Sequence, residues 1–271
     1  MSEPEGNAGP SGAPEASDPE GRDVSDATNV AAEEPGKPKH RRSFLIELPF
    51  LIVLAVGLAL LVNAFLVQPF YIPSASMENT LQGGQVNADG LSVATSAHPF
   101  DRVLVNKLVY RFRSPRRGEI VVFKRPPGWP PEEAAAPGNP ISRVFYDLGS
   151  MVGIGSASND DFIKRVIGIP GDEVACCNAR HQITVNGHAL TEPYIDLAGA
   201  PSAAAYQPFH VKVPRGDLWV MGDHRDDSSD SRAHGFVPIS DVVGRAFAVI
   251  WPAKNWKTLP VPATFHQPGL R

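Results

Sequence analysis

Two serines two positions apart, Ser74 and Ser76, lie in the polar stretch Ile72-Pro73-Ser74-Ala75-Ser76-Met77-Glu78-Asn79-Thr80-Leu81. A hydroxyl becomes a useful nucleophile when a neighbouring group takes its proton, so the question is which base the chain offers. Lys164 stands in Asp161-Phe162-Ile163-Lys164-Arg165-Val166-Ile167-Gly168-Ile169-Pro170-Gly171-Asp172. His224 stands in Met221-Gly222-Asp223-His224-Arg225-Asp226-Asp227-Ser228-Ser229-Asp230-Ser231-Arg232. A lysine can act as base only when neutral, which requires burial to pull its pKa below the ordinary value near 10.4. Strand alternation puts Lys164 on one face with Phe162 and Val166, and Arg165 on the other with Ile163 and Ile167. On pattern alone such a lysine is more often a snorkelling edge residue with its amine in water. Ser76 with His224 and Asp223 or Asp226 would make a triad, which only geometry can decide. Taken by itself, Pro73-Ser74-Ala75-Ser76 is ordinary turn composition.

The three stretches together, in this order, resemble the conserved boxes of the type I signal peptidases, membrane-bound Ser/Lys proteases that remove secretory signal peptides. The resemblance implies that Ser76 is the nucleophile and Lys164 the general base. It implies that Ser74 donates its hydroxyl to the oxyanion beside the backbone N–H of Ser76, a type of contact whose loss typically costs about 3 to 4 kcal/mol. Ser228 matches the serine that hydrogen-bonds the lysine, and Asp230 with Arg232 a pair that holds the site together; their plainer reading is a polar turn with a surface ion pair worth under about 1 kcal/mol. Cleavage after Ala-X-Ala is implied, with pocket walls at Phe70, Ile72, Met77, Leu81, Phe162 and Ile163, side chains that could equally be core. No metal and no cofactor are implied. The family usually has Asn at the position of His224, without a catalytic role, which weighs against the triad. The resemblance runs from about Gln68 to Trp251. Departures are Ala75 where Gly is frequent, His224, the connection from Gly83 to Phe100, and an insertion at about 126–160.

Around these motifs the pattern is β-rich. Arg102 to Phe112 reads as a strand, Ser114 to Gly118 as a turn, and Glu119 to Lys124 as a second strand. Asp161 to Ile169 is a strand leading into the Pro170-Gly171-Asp172 turn. Further β segments cover Glu173 to Ala179 and Gln182 to Val185, with Asn186-Gly187 as a hairpin signal. Strands at Val211 to Val213, Asp217 to Met221 and about Val242 to Trp251 complete the series. No βαβ alternation occurs, so the expected fold is all-β and mostly antiparallel, signal-peptidase-like, with one N-terminal transmembrane helix and a disordered N-terminal tail.

The first 36 of 271 residues carry nine acidic residues and one basic, Arg22, a solvated tail by composition. Lys37, Lys39, Arg41 and Arg42 follow, then an apolar run from Phe44 to Val67 broken only by Glu47 and Asn63. At helical rise that run reaches roughly 36 Å, against about 30 Å of hydrocarbon. It starts too late and lasts too long for a cleaved signal peptide, whose apolar core is only about 7–15 residues. The domains expected are therefore 1–42 as a cytoplasmic tail, 43–67 as the membrane helix and 68–271 as an extracytoplasmic peptidase domain, with orientation set by the basic cluster. The remainder after residue 42 is electrically neutral, so nucleic acid is not an expected partner. The resemblance adds secretory preproteins as substrates, membrane lipid and translocation machinery nearby, at the cytoplasmic membrane. The two cysteines, Cys176 and Cys177, are adjacent, so free thiols or an intermolecular bond are expected in preference to a strained vicinal disulfide.

Two rivals remain. A self-cleaving repressor of the related Ser/Lys fold would carry DNA-binding sequence in place of a membrane span. A catalytically silent, anchored β module that binds exported proteins would have no need of Ser76, Lys164 and Ser228.

Overall fold

The computed structural model describes residues 44–72, 74–83, 85–86, 92–93, 100–131, 160–195 and 207–270. The expected tail at 1–42, most of the connection from 83 to 100 and the body of the insertion, 132–159, lie outside the described residues. The chain divides into two units, 1–47 and 48–271; of the first, only the opening turn of a helix is described.

That helix, α1 (Phe44–Phe65), is 22 residues long and carries one acidic residue, Glu47. Its described side chains, 47–62, are exposed throughout. Leu51, Leu54, Leu58 and Leu61 are each more than half exposed, so the helix offers apolar surface that no described residue covers. The stretch 47–62 reaches only about 24 Å at helical rise. Among the described residues no helix is long and apolar enough to cross a membrane.

The strands follow in order: β1 (Val67–Tyr71), β2 (Gln85–Val86), β3 (Ser92–Val93), β4 (Arg102–Asn106), β5 (Ile120–Lys124), β6 (Asp161–Gly168) and β7 (Glu173–Cys176). Next are β8 (Thr184–Val185), β9 (His188–Ala189), β10 (Phe209–Lys212), β11 (Asp217–Met221), β12 (Val237–Pro238), β13 (Val242–Trp251) and β14 (Lys257–Thr258). The main sheet runs β1-β4-β13-β5-β6-β11-β12, with β14 added on β13. A second sheet runs β10-β7-β8-β9, and β2 pairs with β3. Every pairing is antiparallel, as the absence of βαβ alternation implies. Two short α-helices, α2 (Val109–Phe112) and α3 (Ser231–His234), and four 3₁₀ turns complete the described elements.

Strand β6 lies inside the main sheet with β5 on one side and β11 on the other, and all eight of its residues are buried. Its register sets Lys164 opposite Val121 and Arg165 opposite Ile120 and Met221. The snorkelling edge lysine is thereby excluded: Lys164 is 0% exposed.

Three expectations need correction. The strand begun at Arg102 stops at Asn106, whose side-chain carbonyl accepts the N–H groups of Leu108 and Val109 and starts α2. A side chain that bonds its own downstream backbone competes with the sheet ladder, which is why the β-rich composition of 107–112 does not decide the matter. Cys176 and Cys177 are joined in a vicinal disulfide, with Cys176 buried in the apolar cluster of the second sheet. The β segment expected through Ala179 ends at Cys176, where Asn178 folds the chain back by accepting from the backbone of Arg180 and Gln182. The hairpin at Asn186-Gly187 is present, both residues with positive φ, 51° and 79°, as a type I′ turn requires.

Candidate active site

The serine segment is a loop closed at its neck by one residue. The carbonyl of Asp101 accepts from Ile72 N at 3.0 Å, its N–H donates to Gln82 O at 2.9 Å, and its carboxylate accepts from Gln82 N at 2.9 Å. Asn255 donates to the other carboxylate oxygen at 2.7 Å, and Asp101 is fully buried. Within the loop, Ala75–Met77 forms one turn of 3₁₀ helix. Glu78 N donates to Ala75 O at 2.8 Å and Leu81 N to Met77 O at 2.7 Å. Met77 and Leu81, both 0% exposed, root the turn in a core cluster with Phe70, Ile72 and Ile163. Phe162 packs in a different cluster, with Phe123 and Trp129. Five of the six expected wall residues thus meet in one buried group, and the sixth, Phe162, packs in another cluster from the face of β6 that carries Lys164.

This loop carries Ser76 to the middle of β6. Lys164 Nζ stands 2.7 Å from Ser76 Oγ, within the distance a proton acceptor requires. The hydroxyls of Ser74 and Ser76 are 3.0 Å apart. Ser76 is 5% exposed, so little water competes for its hydroxyl. Phe162, two residues before the lysine on the same face, places its ring centroid 5.4 Å from Nζ.

His224 is engaged elsewhere. Its backbone N–H donates to Ser76 O at 3.1 Å, and its ring Nδ1 lies 3.3 Å from Ala75 O and 3.7 Å from Glu78 Oε2. Asp223, the nearest candidate orienter, is fully buried and faces the other way. It accepts from Arg165 Nε at 2.8 Å, Arg165 Nη2 at 2.6 Å and Thr80 Oγ1 at 2.5 Å. The constellation a Ser-His-Asp triad needs is absent from this group of residues.

Arg165 was legible as a charged residue on the second face of β6, but its task was not. Burial opposes its charge; the carboxylate of Asp223 outweighs that and raises the guanidinium pKa. The guanidinium carbon also lies 4.1 Å from the Tyr194 ring centroid. Tyr194 donates to Glu192 at 2.6 Å, and Glu192 takes both ends of the Arg225 guanidinium, at 2.9 and 2.5 Å. Breaking a buried pair such as Arg165–Asp223 from one side strands the other charge, at about 3–5 kcal/mol. Sequence offered one signal for this network. An apolar strand interrupted on successive positions by Lys and Arg must bury both if both faces are covered.

Asp230 and Arg232 do meet, and not at the surface. Arg232 Nε and Nη2 donate to the two oxygens of Asp230 at 2.9 and 2.8 Å, and Gly222 N adds a third contact at 3.0 Å. Asp230 is fully buried and caps α3 through Arg232 N. Burial by itself would raise its pKa; the bonds from Arg232 and the N–H of Gly222, with a smaller influence of the nearby Ser228 hydroxyl, hold it below the usual carboxylate value.

Ser228 departs from expectation. Its buried hydroxyl makes no hydrogen bond of normal geometry, to Lys164 or to any other group, although it is close enough to influence Asp230. It packs on Gly222, whose missing side chain makes the room: a Cβ there would lie 2.2 Å from Ser228 Oγ and 2.4 Å from Ser76 O. Gly83 plays the same part from the other side, since a Cβ would meet Ser74 O at 1.8 Å.

Residues 45–251 match the family model described as "Signal peptidase, peptidase S26". A probable signal peptidase I of Mycobacterium leprae is 36% identical over 261 residues, covering 86% of this chain and 85% of its own. A signal peptidase I of Mycobacterium tuberculosis is 35% identical over 256 residues, covering 88% and 82%. Among solved structures, a signal peptidase I from Enterococcus faecalis is 25% identical, covers 49% of this chain and 97% of its own, and superposes with a TM-score of 0.34.

Proposed function

Because the chain belongs to the signal peptidase family, peptidase S26, we propose that it removes N-terminal signal peptides from secretory preproteins with Ser76 as nucleophile and Lys164 as general base. The observation that carries this reading is the 2.7 Å approach of Lys164 Nζ to Ser76 Oγ in a site from which His224 is turned away. Attack of Oγ on the scissile carbonyl passes its proton to the unprotonated amine of Lys164. The tetrahedral oxyanion then takes hydrogen bonds from the Ser76 N–H and the Ser74 hydroxyl, 3.0 Å from the attacking oxygen in the free protein. Collapse of the intermediate breaks the C–N bond, and the leaving amine takes the proton back from Lys164. Water, deprotonated by the same amine, hydrolyses the acyl-enzyme and restores Ser76.

Specificity for Ala-X-Ala rests on Phe70, Ile72, Met77, Leu81, Phe162 and Ile163 as walls that leave no depth for large side chains. All six are buried side chains, held by their neighbours in the core. Ser228 supports the lysine by packing beside the Ser76 backbone, and Asp230 with Arg232 fixes the loop that carries it.

The anchor belongs to the same proposal. The apolar run from Phe44 to Val67, read from the sequence, reaches roughly 36 Å at helical rise, against a hydrocarbon core of about 30 Å. Its leucines have no described partner to bury against. The basic residues at 37–42 put the N-terminus in the cytoplasm, so residues after the helix work outside it, next to lipid and the translocation machinery. Enzyme and signal peptide, both held in one bilayer, meet at a raised effective concentration.

The test is cleavage of a preprotein bearing Ala-X-Ala by the full chain in detergent, with Ser76→Ala alongside. The expected result is a cut after the second Ala that the variant does not make. A folded wild type that cuts nothing overturns the proposal.

A further inference from the structure

Trp129 belongs to none of the expected motifs. It stands at the entrance to the insertion, in Pro126-Pro127-Gly128-Trp129, and is 3% exposed. The neck of that excursion is closed by Arg125: its N–H donates to Asp160 O at 2.7 Å, and its Nε to Asp160 Oδ1 at 2.8 Å. Trp129 N donates to Pro126 O at 3.2 Å, and Arg125 Nη1 reaches Trp129 O at 3.4 Å, so the backbone that presents the indole is held on both sides.

The indole meets two rings of the sheet edge-on. Its centroid lies 5.4 Å from that of Phe162 and 5.6 Å from that of Phe123, both at interplanar angles of 88°. Phe123 and Phe162 are themselves stacked, 5.8 Å apart at 22°. On a further side, His234, which ends α3 in the loop of Ser228, Asp230 and Arg232, lies 5.3 Å away. Trp129 therefore joins the strand that carries Lys164 to the loop that supports it, and sits behind the ring lying 5.4 Å from Lys164 Nζ. Its indole N–H is buried with no hydrogen-bond partner. An unpaired buried N–H is a cost, so what this residue contributes is the area and stiffness of its ring, not a polar contact.

We propose that Trp129 is a specificity-determining positioning residue: it fixes the plane of Phe162 and thereby the depth of the wall that the small side chains of the cleavage motif meet. This rests on the peptidase reading above and on Phe162 as a wall. Interiors are close-packed, so a ring with rigid neighbours on its back cannot yield to a larger substrate group. Remove the indole and the volume behind Phe162 becomes available, the ring can withdraw, and the pocket deepens.

The experiment compares kcat/KM of the full chain in detergent on two preproteins, one with Ala-X-Ala and one in which either Ala is replaced by Val. Trp129→Leu, which keeps an apolar side chain but no plate, should raise the Val-to-Ala ratio about tenfold or more, the scale on which hydrophobic pockets discriminate by a methylene or two. Trp129→Phe removes no hydrogen bond and thins the plate, so its ratio should move the same way and less. A merely structural loss would lower both rates together and leave the ratio where it was. A folded Trp129→Leu with the wild-type ratio overturns the proposal. Should Trp129→Leu fail to fold, an unchanged ratio in Trp129→Phe overturns it instead. Absence of cleavage of both preproteins by the wild type overturns the peptidase reading itself, a result distinct from an active enzyme with an unmoved ratio.

Discussion

Ser76 has two basic neighbours in sequence terms and one in space. Lys164 Nζ is at hydrogen-bond distance from the hydroxyl, whereas the His224 ring faces Ala75 O and Glu78 on the outside of the same turn. Lys164→Met should therefore reduce cleavage by about 10²–10⁴-fold, the usual contribution of a positioned base, with the thermal transition retained. His224→Asn, which keeps the backbone N–H to Ser76 O and a side-chain donor, should keep most activity. The opposite ranking in steady-state assays would return the triad to consideration. Ser228 illustrates how a residue can occupy the expected loop without the expected bond: its hydroxyl packs on Gly222 and acts on Asp230, not on Lys164.

At the scale of elements, the site depends on how closely three segments approach one another. Glycine lets the backbone of the Ser76 loop approach closely in two places, the loop after β11 at Gly222 and its own base at Gly83. Gly222→Ala would push a Cβ to within 2.4 Å of Ser76 O, a backbone atom that cannot rotate away. Cleavage should fall more than about tenfold, since a displacement near 1 Å at reacting groups can cost about 10²-fold, while a circular-dichroism spectrum of the variant keeps its β signature. The buried carboxylates set the response to acid. In the folded chain Asp230 and Glu119 both titrate below the usual range, despite burial, because Arg232 and Arg113 respectively hydrogen-bond to them. A group whose folded pKa is depressed contributes stability above its unfolded value, near 3.9 for Asp, and loses it as pH falls toward the folded value. Urea midpoints should be flat above about pH 5 and decline below about pH 4, and Asp230→Asn should flatten part of that decline. A midpoint in Asp230→Asn that follows the wild type at every pH would remove Asp230 from the account.

At the scale of the whole molecule, the main sheet buries the strand of Lys164 between two neighbours, while the apolar surface of α1 is covered by none of the described residues. Leu54→Arg and Leu58→Arg each place a charge near the middle of α1, at about 2.5–3.5 kcal/mol on the insertion scale. The pair combined should shift the full chain from the carbonate-resistant membrane fraction to the soluble or aggregated one. An unchanged distribution would argue that α1 is not the anchor.

Fold class, strand positions at β5, β6, β11 and β13, the Asn186-Gly187 hairpin and the candidate pair Ser76 and Lys164 could be read from the chain, because alternation, turn chemistry and motif order are local or ordered along it. The end of β4 at Asn106, the paired state of Cys176 and Cys177 and the partner of the Ser76 hydroxyl could not. The first depends on a side chain competing with the ladder, and the third on a contact between positions 88 apart in sequence. Likewise Arg165, Asp223, Tyr194, Glu192 and Trp129 carry ordinary residue types at unremarkable spacings. Only the closure of the sheet brings them within bonding distance, since the charge network and the aromatic box are made of side chains from strands and loops that sequence separates and packing joins.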